Sequence, residues 1–401
     1  MQIKLALRNL LRNPRRTSTV LLTVITGSAA LFIFHGFNAG LMNQYRESTI
    51  HSRYGHGQIN TVGYREKVFE KPWEHWMNNG AQVAERLKQL PQVKQVFPRV
   101  EFFSLLTNGR VTVSGKGQGV DAVEEAKFFN MLNIEQGVAL SDQADGILLG
   151  KGLARALDVK PGDRVTVLGN TIQGSINGLD LIVTGIFHTG QKEFDDVGFR
   201  IPLAQAQKLL ETEQVESVAL GLDSVASWDA VASVVRAEFP MLEATPFAVL
   251  DKVWYQNSVD WLDSQFGFIQ FIILAIVILG IFSTVSIGVL ERKQEIGNLR
   301  ANGESGRQVL GLLILEGLAL GALGAFLGLA IAWIINLTLL RNGVLMPPAP
   351  GITRQFYIHI ELQPKMAAVA FLMGAVTSVL GTFLAGLKVA RMPIGEALRS
   401  N

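Results

Sequence analysis

The sequence contains no cysteine. This absence excludes disulfide bonds, zinc sites built on thiolates and a cysteine nucleophile. Charge is also scarce, since only 17% of the 401 residues are Asp, Glu, Lys or Arg, against about 25% in soluble domains. The net charge of +2 gives no broad basic surface of the kind that binds nucleic acid, so no nucleic-acid partner is expected.

Common catalytic and nucleotide-binding motifs are missing as well. Neither HExxH nor GxSxG occurs. The segment GILLGKG at 146–152 lacks the first glycine and the Ser or Thr of a phosphate-binding loop. Gly115, Gly117 and Gly119 are spaced as GxGxG, which differs from the dinucleotide pattern, and we expect them in a loop. The chain is therefore expected to be no enzyme and to bind no cofactor or metal itself.

Long apolar segments dominate what is present, and the mean hydropathy is +0.27. Four segments are long enough to cross a bilayer, which takes about 20 residues at 1.5 Å each. The predicted transmembrane helices are 20–41 (Val20–Leu41), 266–290 (Phe266–Leu290), 309–340 (Val309–Leu340) and 366–387 (Met366–Leu387). The third is longer than a straight crossing needs, so it should tilt or project beyond the membrane.

The third segment also carries a glycine series and one charge. Gly317, Gly321, Gly324 and Gly328 fall on one helical face and would permit close helix packing. Glu316 is an intramembrane polar residue, and a charge in hydrocarbon marks a functional site by default. The alternative, which we favour, is a structural position near the headgroups, where Glu316 would meet basic side chains.

The first 19 residues are basic and amphipathic. They contain five basic residues and no acidic residue, and Arg8, Arg12, Arg15 and Arg16 are expected at the membrane interface. The pattern predicts a helix over 1–19, ended near Pro14, that lies on the inner leaflet. The alternative is the n-region of a signal peptide, but the apolar segment that follows is too long and lacks a clear cleavage site.

Residues 42–265 have the composition of a soluble domain. Two separated sets of strands and helices predict one α/β unit that is split by an insertion at about 101–213. The first set has a strand at 58–64, a helix at 81–90 and a strand at 93–100; the second has a strand at 215–222, a helix at 227–239 and a strand at 242–249. Short strands at 110–114, 164–168 and 181–187 and a helix at 152–157 predict a mostly β lobe for the insertion.

The positions of Lys and Arg predict the orientation. Basic residues concentrate in the first 19 residues, in the loop 291–308 and in the tail 388–401. With four spans these three segments share one side, which places both termini in the cytoplasm. The domain 42–265 and the loop 341–365 then lie outside, and the chain is a multi-pass protein.

The segment Glu291–Gly303, ERKQEIGNLRANG, stands between the second and third spans. It has a charged edge and an apolar edge formed by Ile296 and Leu299, and Gly303 fits a helix C-cap. Glu291 and Glu295 lie four residues apart, where like charges are unfavourable on an isolated helix, which suggests a partner. The residues alone leave two interpretations equally open: a docking segment, or a solvated loop that obeys the positive-inside rule.

The run ERKQEIGNLRANGESGRQVLGLLILEGLALGALGAFLG resembles the FtsX-type permease domain of the MacB/LolCDE superfamily of ABC transporters. Residues at the family's positions in the loop and third span are Glu291, Arg292, Glu295, Ile296, Gly297, Arg300, Ala301, Gly303, Glu316 and Gly317. The opening ALRNLLRNPRRTSTV is similar to the family's elbow helix, RMPIGEALR to its closing motif, and LARALDVKPGDRVTV to part of its periplasmic domain.

This resemblance implies a membrane α-helical fold with four transmembrane helices and a large α+β extracytoplasmic domain. That domain would have a porter-like α/β lobe, split by a mostly β Sabre-like lobe. Residues 291–308 would form the coupling-helix loop that docks on an ABC ATPase, with ATP and Mg on that partner. Since the sequence starts at the elbow helix, the ATPase is expected on a separate chain, unlike in MacB. A second permease chain, either a copy or a paralogue, would complete the membrane part.

The resemblance further implies mechanotransmission in the bacterial inner membrane, for lipoprotein trafficking or for export by an efflux-like system. A periplasmic adaptor, chaperone or lipoprotein is a further candidate partner, besides membrane lipid. The alternative is a signalling subunit that activates an envelope enzyme such as a cell-wall hydrolase, as FtsX does. A membrane-anchored enzyme is the least supported of the three hypotheses, because the sequence shows no recognisable set of catalytic residues.

Overall fold

The structure, a computed structural model, describes residues 14–68, 71–130, 132–141, 145–252, 256–291, 293–347 and 355–390. These residues divide into two compact units. The helical unit contains the described residues of Met1–Asn43, Val259–Met346 and Tyr357–Asn401. The sheet unit contains those of Gln44–Ser258 and Pro347–Phe356.

Along the chain, one long helix precedes a strand-rich stretch, and three long helices follow it. The α-helices are α1 (Pro14–Thr49), α2 (Tyr64–Lys67), α3 (Gly80–Lys88), α4 (Ala122–Phe128), α5 (Lys151–Leu157), α6 (Lys192–Asp195), α7 (Leu203–Leu210), α8 (Trp228–Glu238), α9 (Phe247–Leu250), α10 (Asn257–Glu291), α11 (Lys293–Ala301), α12 (Gly306–Thr338) and α13 (Pro364–Ala390). The strands are β1 (Gly57–Thr61), β2 (Val93–Thr107), β3 (Thr112–Val120), β4 (Asn133–Gly137), β5 (Gly146–Gly150), β6 (Arg164–Asn170), β7 (Ile176–His188), β8 (Gly198–Pro202), β9 (Ser217–Leu222), β10 (Leu242–Pro246), β11 (Val344–Met346) and β12 (Phe356–Ile358).

Four of these helices, α1, α10, α12 and α13, are long and apolar enough to cross a membrane. This confirms the four spans predicted from the sequence. The helices exceed most of the predicted apolar segments because polar residues at their ends are helical too. The stretch 257–265, which was expected to lead into the second span, is helical throughout.

The first helix has different limits from those predicted. Residues 14–19 were assigned to a separate elbow helix, but they belong to α1, whose described residues run without a break from Pro14 to Thr49. No Gly or Pro occurs in 42–49, so the helix continues beyond the predicted end at Leu41. Residues 1–13, with Arg8 and Arg12, lie outside the described residues.

Glycines bring the long helices together in the helical unit. A Cβ on Gly321 would meet Ser378 of α13 at 2.7 Å, and one on Gly324 would meet Val24 of α1 at 2.8 Å. The predicted glycine face of α12 is therefore used for close packing, and it packs against two helices, α1 and α13. Close backbone approach of this kind is how small residues favour helix association in membranes.

The sheet unit begins with an antiparallel sheet in the order β10-β1-β9-β2. Helix α3 contacts β2 and β9, and α8 contacts β10. This is the split α/β lobe that the two sets of elements predict. The limits differ in places: β1 ends at Thr61, and β10 ends at Pro246 before the short helix α9.

The insertion is a closed barrel. The pairs β2–β3, β3–β8, β8–β5, β5–β7, β7–β6 and β6–β2 form a ring of six strands. Strand β2 belongs to both lobes, since its first half pairs with β9 up to Arg99 and its second half pairs with β3 from Val100. The predicted start of the insertion near Glu101 therefore falls where β2 changes partner. Closure removes exposed strand edges.

Gly115, Gly117 and Gly119 correct one expectation. They lie in β3, within the barrel, and do not form a loop. A Cβ on Gly117 would lie 2.5 Å from Phe199 and 2.6 Å from Phe102. Glycine is poor in an ordinary strand, but it is used where other groups approach the backbone closely.

Candidate functional site

The segment between α10 and α12 is helical and has a defined C-terminal end. The described helical residues are those of α10 up to Glu291 and those of α11, Lys293–Ala301. Arg292 lies outside the described residues, as do the side chains of Glu291 and Glu295. The backbone of the described residues in this segment is therefore helical, as the sequence predicts.

The end of α11 is a Schellman motif. The Gly303 amide donates to the Arg300 carbonyl at 3.1 Å, and the Glu304 amide donates to the Leu299 carbonyl at 3.2 Å. Gly303 has a φ of +98°, which L-residues with side chains rarely adopt. The predicted C-cap is therefore confirmed, and Gly303 fixes where α11 stops.

Ile296 packs α11 against the helical unit. Ile296 is 6% exposed and belongs to a buried cluster with Val285 of α10 and Val309 and Leu313 of α12. Gly297 is buried beside it, whereas Ala301 and Gly303 are exposed. Ile296 therefore anchors the segment, and the exposed part of α11 is what remains for a partner.

Helix α12 starts with a capping box that sequence reasoning did not identify. The Gln308 amide donates to Ser305 Oγ at 3.3 Å, and the Ser305 amide donates to Gln308 Oε1 at 2.7 Å. The signal was present as S-x-x-Q before an apolar run. Together with Gly303, this cap makes 302–305 a fixed turn between two helices.

Glu316 lies on α12 and is 3% exposed within the helical unit. Its neighbour Gly317 faces α13: the Ser378 hydroxyl donates to the Gly317 carbonyl at 2.8 Å, and Thr382 leaves no room for a Cβ. The structure therefore places Glu316 in the buried part of the bundle. Arg15 and Arg16 lie in the first turns of α1, and their side chains are outside the described part.

The sheet unit holds an acidic pair that the sequence did not reveal, a buried Glu216 and a partly buried Glu101. Glu216 accepts from Tyr64 Oη and from the Glu101 amide, both at 2.5 Å. Burial, followed by the nearby Glu101 carboxylate, raises the pKa of Glu216 to about 8. Burial is the largest influence on Glu101 and opposes its ionisation, but the charges of Lys116 and Arg53, with hydrogen bonds from Lys116 and Gln118, together outweigh it and lower the Glu101 pKa to about 2. One carboxyl of the pair is thus neutral and the other charged at neutral pH.

Among the described residues, no group of three or more His, Asp or Glu side chains could hold a metal ion. The GILLGKG segment forms β5 and the start of α5. Gly150 and Gly152 pack directly against Asp195 and Asp196, so this turn offers no open cradle for a phosphate.

Two protein families match the chain. Residues 17–238 match the family described as MacB-like periplasmic core domain. Residues 267–394 match the family described as FtsX-like permease C-terminal. The first match covers more than half of the 401 residues, and the second contains the whole of α11, α12 and α13.

Similar proteins are known by name. The lipoprotein-releasing system transmembrane protein LolE of Haemophilus influenzae is 26% identical over 67% of this chain and 66% of that protein. LolC of Xylella fastidiosa, which carries the same system name, is 28% identical over 63% of this chain and 64% of that protein. The chain thus spans just under two thirds of the length of these relatives. The periplasmic region of MacB from Actinobacillus actinomycetemcomitans aligns with a TM-score of 0.38 and 13% identity, over 50% of this chain and 92% of that one.

Proposed function

Because the chain belongs to the family of FtsX-like permeases that carry a MacB-like periplasmic core domain, we propose that it is the permease subunit of an ABC transporter. A separate ATPase subunit binds ATP and Mg²⁺ and hydrolyses the nucleotide. This chain is a non-catalytic, multi-pass subunit, and it carries the resulting movement to its extramembrane domain.

The observation that carries the proposal is the position and build of α11. It is a helical segment with a fixed C-terminal end, it packs against the helical unit through Ile296, and it lies between two helices long enough to span a membrane, inside the FtsX-like match. A docking helix must be rigidly joined to the spans that it moves, since a loosely tethered segment would absorb the displacement. Glu291, Arg292, Glu295, Arg300 and Ala301 are proposed to supply its contacts to the ATPase.

We assign the chain to the bacterial inner membrane, with both termini in the cytoplasm. The Lys and Arg residues of the short segments support this orientation. A second permease chain, a copy or a paralogue, completes the membrane part. Membrane lipid surrounds the four spans, and the basic residues Arg8, Arg12, Arg15 and Arg16 meet its headgroups.

For the substrate, we propose release of lipoproteins or export across the envelope. The names of the LolE and LolC relatives support lipoprotein release. A periplasmic chaperone, adaptor or lipoprotein would then meet the sheet unit. The second candidate is a signalling subunit that activates an envelope enzyme, and the FtsX-like match of 267–394 is compatible with both candidates.

The test is purification of the tagged chain in mild detergent, with mass spectrometry of bound proteins and an ATP hydrolysis assay. The proposal predicts a co-purifying ABC ATPase and measurable hydrolysis. A lipoprotein, chaperone or adaptor beside it selects transport, and a cell-wall hydrolase selects signalling. A chain that purifies alone in several detergents, without hydrolysis, would contradict the proposal.

A further inference from the structure

The end of the first membrane helix is held by groups that the proposed function does not use. Helix α1 passes directly into a π-helical turn, Ile50–Tyr54. The last carbonyls of a helix have no partner within it and need one elsewhere. Gly55 donates its amide to the Ile50 carbonyl at 3.0 Å. The carbonyls of Ser52 and Arg53 accept from two buried arginine side chains.

These arginines come from the two different lobes of the sheet unit. Arg99 lies on β2 at the last position of its ladder with β9, opposite Ser217, and donates to the Arg53 carbonyl. Arg200 lies on β8 in the barrel and donates to the Ser52 carbonyl at 3.1 Å. The end of α1 is thus held by one cation from the α/β lobe and one from the barrel.

A single carboxylate ties the two arginines to each other. Glu125 on α4 accepts from Arg99 Nε at 2.5 Å and Nη2 at 2.8 Å, and from Arg200 Nη1 at 3.1 Å. The Phe129 ring centroid lies 4.1 Å from Arg99 Cζ and 5.6 Å from Arg200 Cζ. We call Arg99, Glu125 and Arg200, with the two carbonyls, the arginine joint.

The joint is buried and charged. Arg99, Arg200 and Glu125 are 0%, 2% and 2% exposed. Burial lowers the pKa of Arg200 to about 10, which leaves the guanidinium protonated at neutral pH. Buried cations separated from their partners lose strong, charge-assisted hydrogen bonds without gaining water. Ile50 adds an apolar plug, fully buried against Phe97, Phe128 and Phe129.

An ion pair that only stabilised the domain would need no contact with the end of a membrane helix. Replacing buried pairs by apolar residues is often neutral or favourable, so stability alone gives weak reason for this arrangement. We infer that the arginine joint is the mechanical connection through which displacement of α1 moves the α/β lobe and the barrel together. This inference rests on the proposed function, because it presupposes nucleotide-driven movement of the membrane helices.

The absence of cysteine makes the test direct. Spin labels are placed at Ser175→Cys in the barrel and Asn342→Cys beyond α12, both at exposed positions. The full chain, reconstituted in nanodiscs with its co-purified ATPase, is measured nucleotide-free and trapped with ATP and vanadate. Arg200→Met removes the charge. Arg200→Lys keeps it, but a single ammonium cannot reproduce the guanidinium fork to Ser52 and Glu125.

We expect the label distance of the unaltered chain to change on trapping. In the Arg200 variants we expect ATP hydrolysis to continue, while the ratio of the trapped to the nucleotide-free distance population falls by roughly two- to thirtyfold, the effect of a coupling change of about 0.5–2 kcal/mol. If Arg200→Met does not fold, Arg200→Lys carries the test. Asp195→Asn is the matched control, because Asp195 is also a buried acid of the sheet unit and its carboxylate forms hydrogen bonds with Thr189 and His188.

The outcomes are distinguishable. If the distance between the labels in the unaltered chain is the same with and without trapped nucleotide, the proposed function is contradicted, independently of the role of the joint. If the unaltered chain responds and the Arg200 variants respond equally, the joint is overturned. A loss of response in Asp195→Asn as large as in the Arg200 variants would also overturn it, because general destabilisation would then explain both.

Discussion

The Gly303 amide donates to the Arg300 carbonyl at 3.1 Å, and the positive φ of Gly303 makes this bond possible. The relationship sets the last turn of the proposed docking helix. It joins a residue that we place in the contact with the ATPase to one whose role is purely conformational.

We predict that Gly303→Ala loosens the end of α11. A Cβ in the left-handed region costs about 1–2 kcal/mol, which raises the population of the opened end by roughly 5- to 30-fold. Trypsin cleavage after Arg300 should accelerate accordingly, because cleavage tracks the open population when opening is fast. Gly303→Asn should lie closer to the unaltered chain, since Asn tolerates this conformation. Equal cleavage rates for Gly303→Ala and the unaltered chain would show that the cap does not hold the helix.

The second prediction concerns the charged face of α11. Replacement of both Glu295 and Arg300 by alanine should leave the chain inserted and assembled, but should separate ATP hydrolysis from function. The measurement is ATP hydrolysis beside a transport or activation assay in reconstituted complexes. Thr112→Ala, at an exposed position at the start of β3, is the control that should keep both activities. Full function in the double variant would remove the docking role of these residues.

Helix packing gives the third prediction. A Cβ on Gly328 would lie 2.6 Å from the Ile25 carbonyl and 3.0 Å from Ser28 Cβ, so Gly328→Ala should force α1 and α12 apart. Overpacking of this kind costs about 1–3 kcal/mol. Gly311 lies in the same helix, and a Cβ on it would have no such contact within 4 Å. Gly311→Ala should therefore be neutral. Thermal unfolding of both variants in detergent compares them, and equal midpoints would contradict the close contact.

The fourth prediction is a pH dependence set by Glu216. Its pKa is about 8 in the folded chain and 4.5 ordinarily, so between these values the folded state holds a proton that the unfolded state lacks. The free energy of unfolding should therefore fall as pH rises from 5 to 8. Glu101, with its pKa lowered to about 2, acts in the opposite sense, and its contribution is lost only as pH falls below 4.5.

Thermal unfolding of the full chain between pH 5 and 8 measures this effect, at roughly 2–4 °C per kcal/mol for a domain of this size. Glu216→Gln should flatten the slope, because the amide cannot ionise. Glu135→Gln, which removes the partly exposed pair with Lys151, should leave the slope unchanged. A slope that persists in Glu216→Gln would assign the pH dependence to other groups.

The sequence was informative where one segment decides the structure. Uncharged runs such as Val20–Leu41 show a span by length alone, and Gly303 after a helical pattern shows a cap. The β3 glycines were misassigned because Gly disfavours a strand locally. What compensates is contact with Phe199 of β8 and Phe102 of β2, which only the closed barrel brings together.

The candidate site was harder to predict from the sequence, because it too depends on contacts between segments that are distant along the chain. The sequence places Ile296 on the apolar edge of α11. It does not show whether a partner or the chain itself covers this side chain. The buried residues Arg99, Glu125 and Arg200 come from separate elements, and nothing local distinguishes them from exposed charges. The acidic pair Glu101 and Glu216 is equally distant in sequence and adjacent in space.

The measurement that tests the central claim most directly is site-specific cross-linking from the exposed end of α11. A cysteine at Ala301, the single one in the chain, would carry a photoactivatable cross-linker in membranes. The account predicts a covalent adduct with an ABC ATPase, identified by mass spectrometry, and none from the same label at Ser175 in the barrel. An adduct with the ATPase from Ser175 but none from Ala301 would contradict both the docking role of α11 and the orientation of the chain.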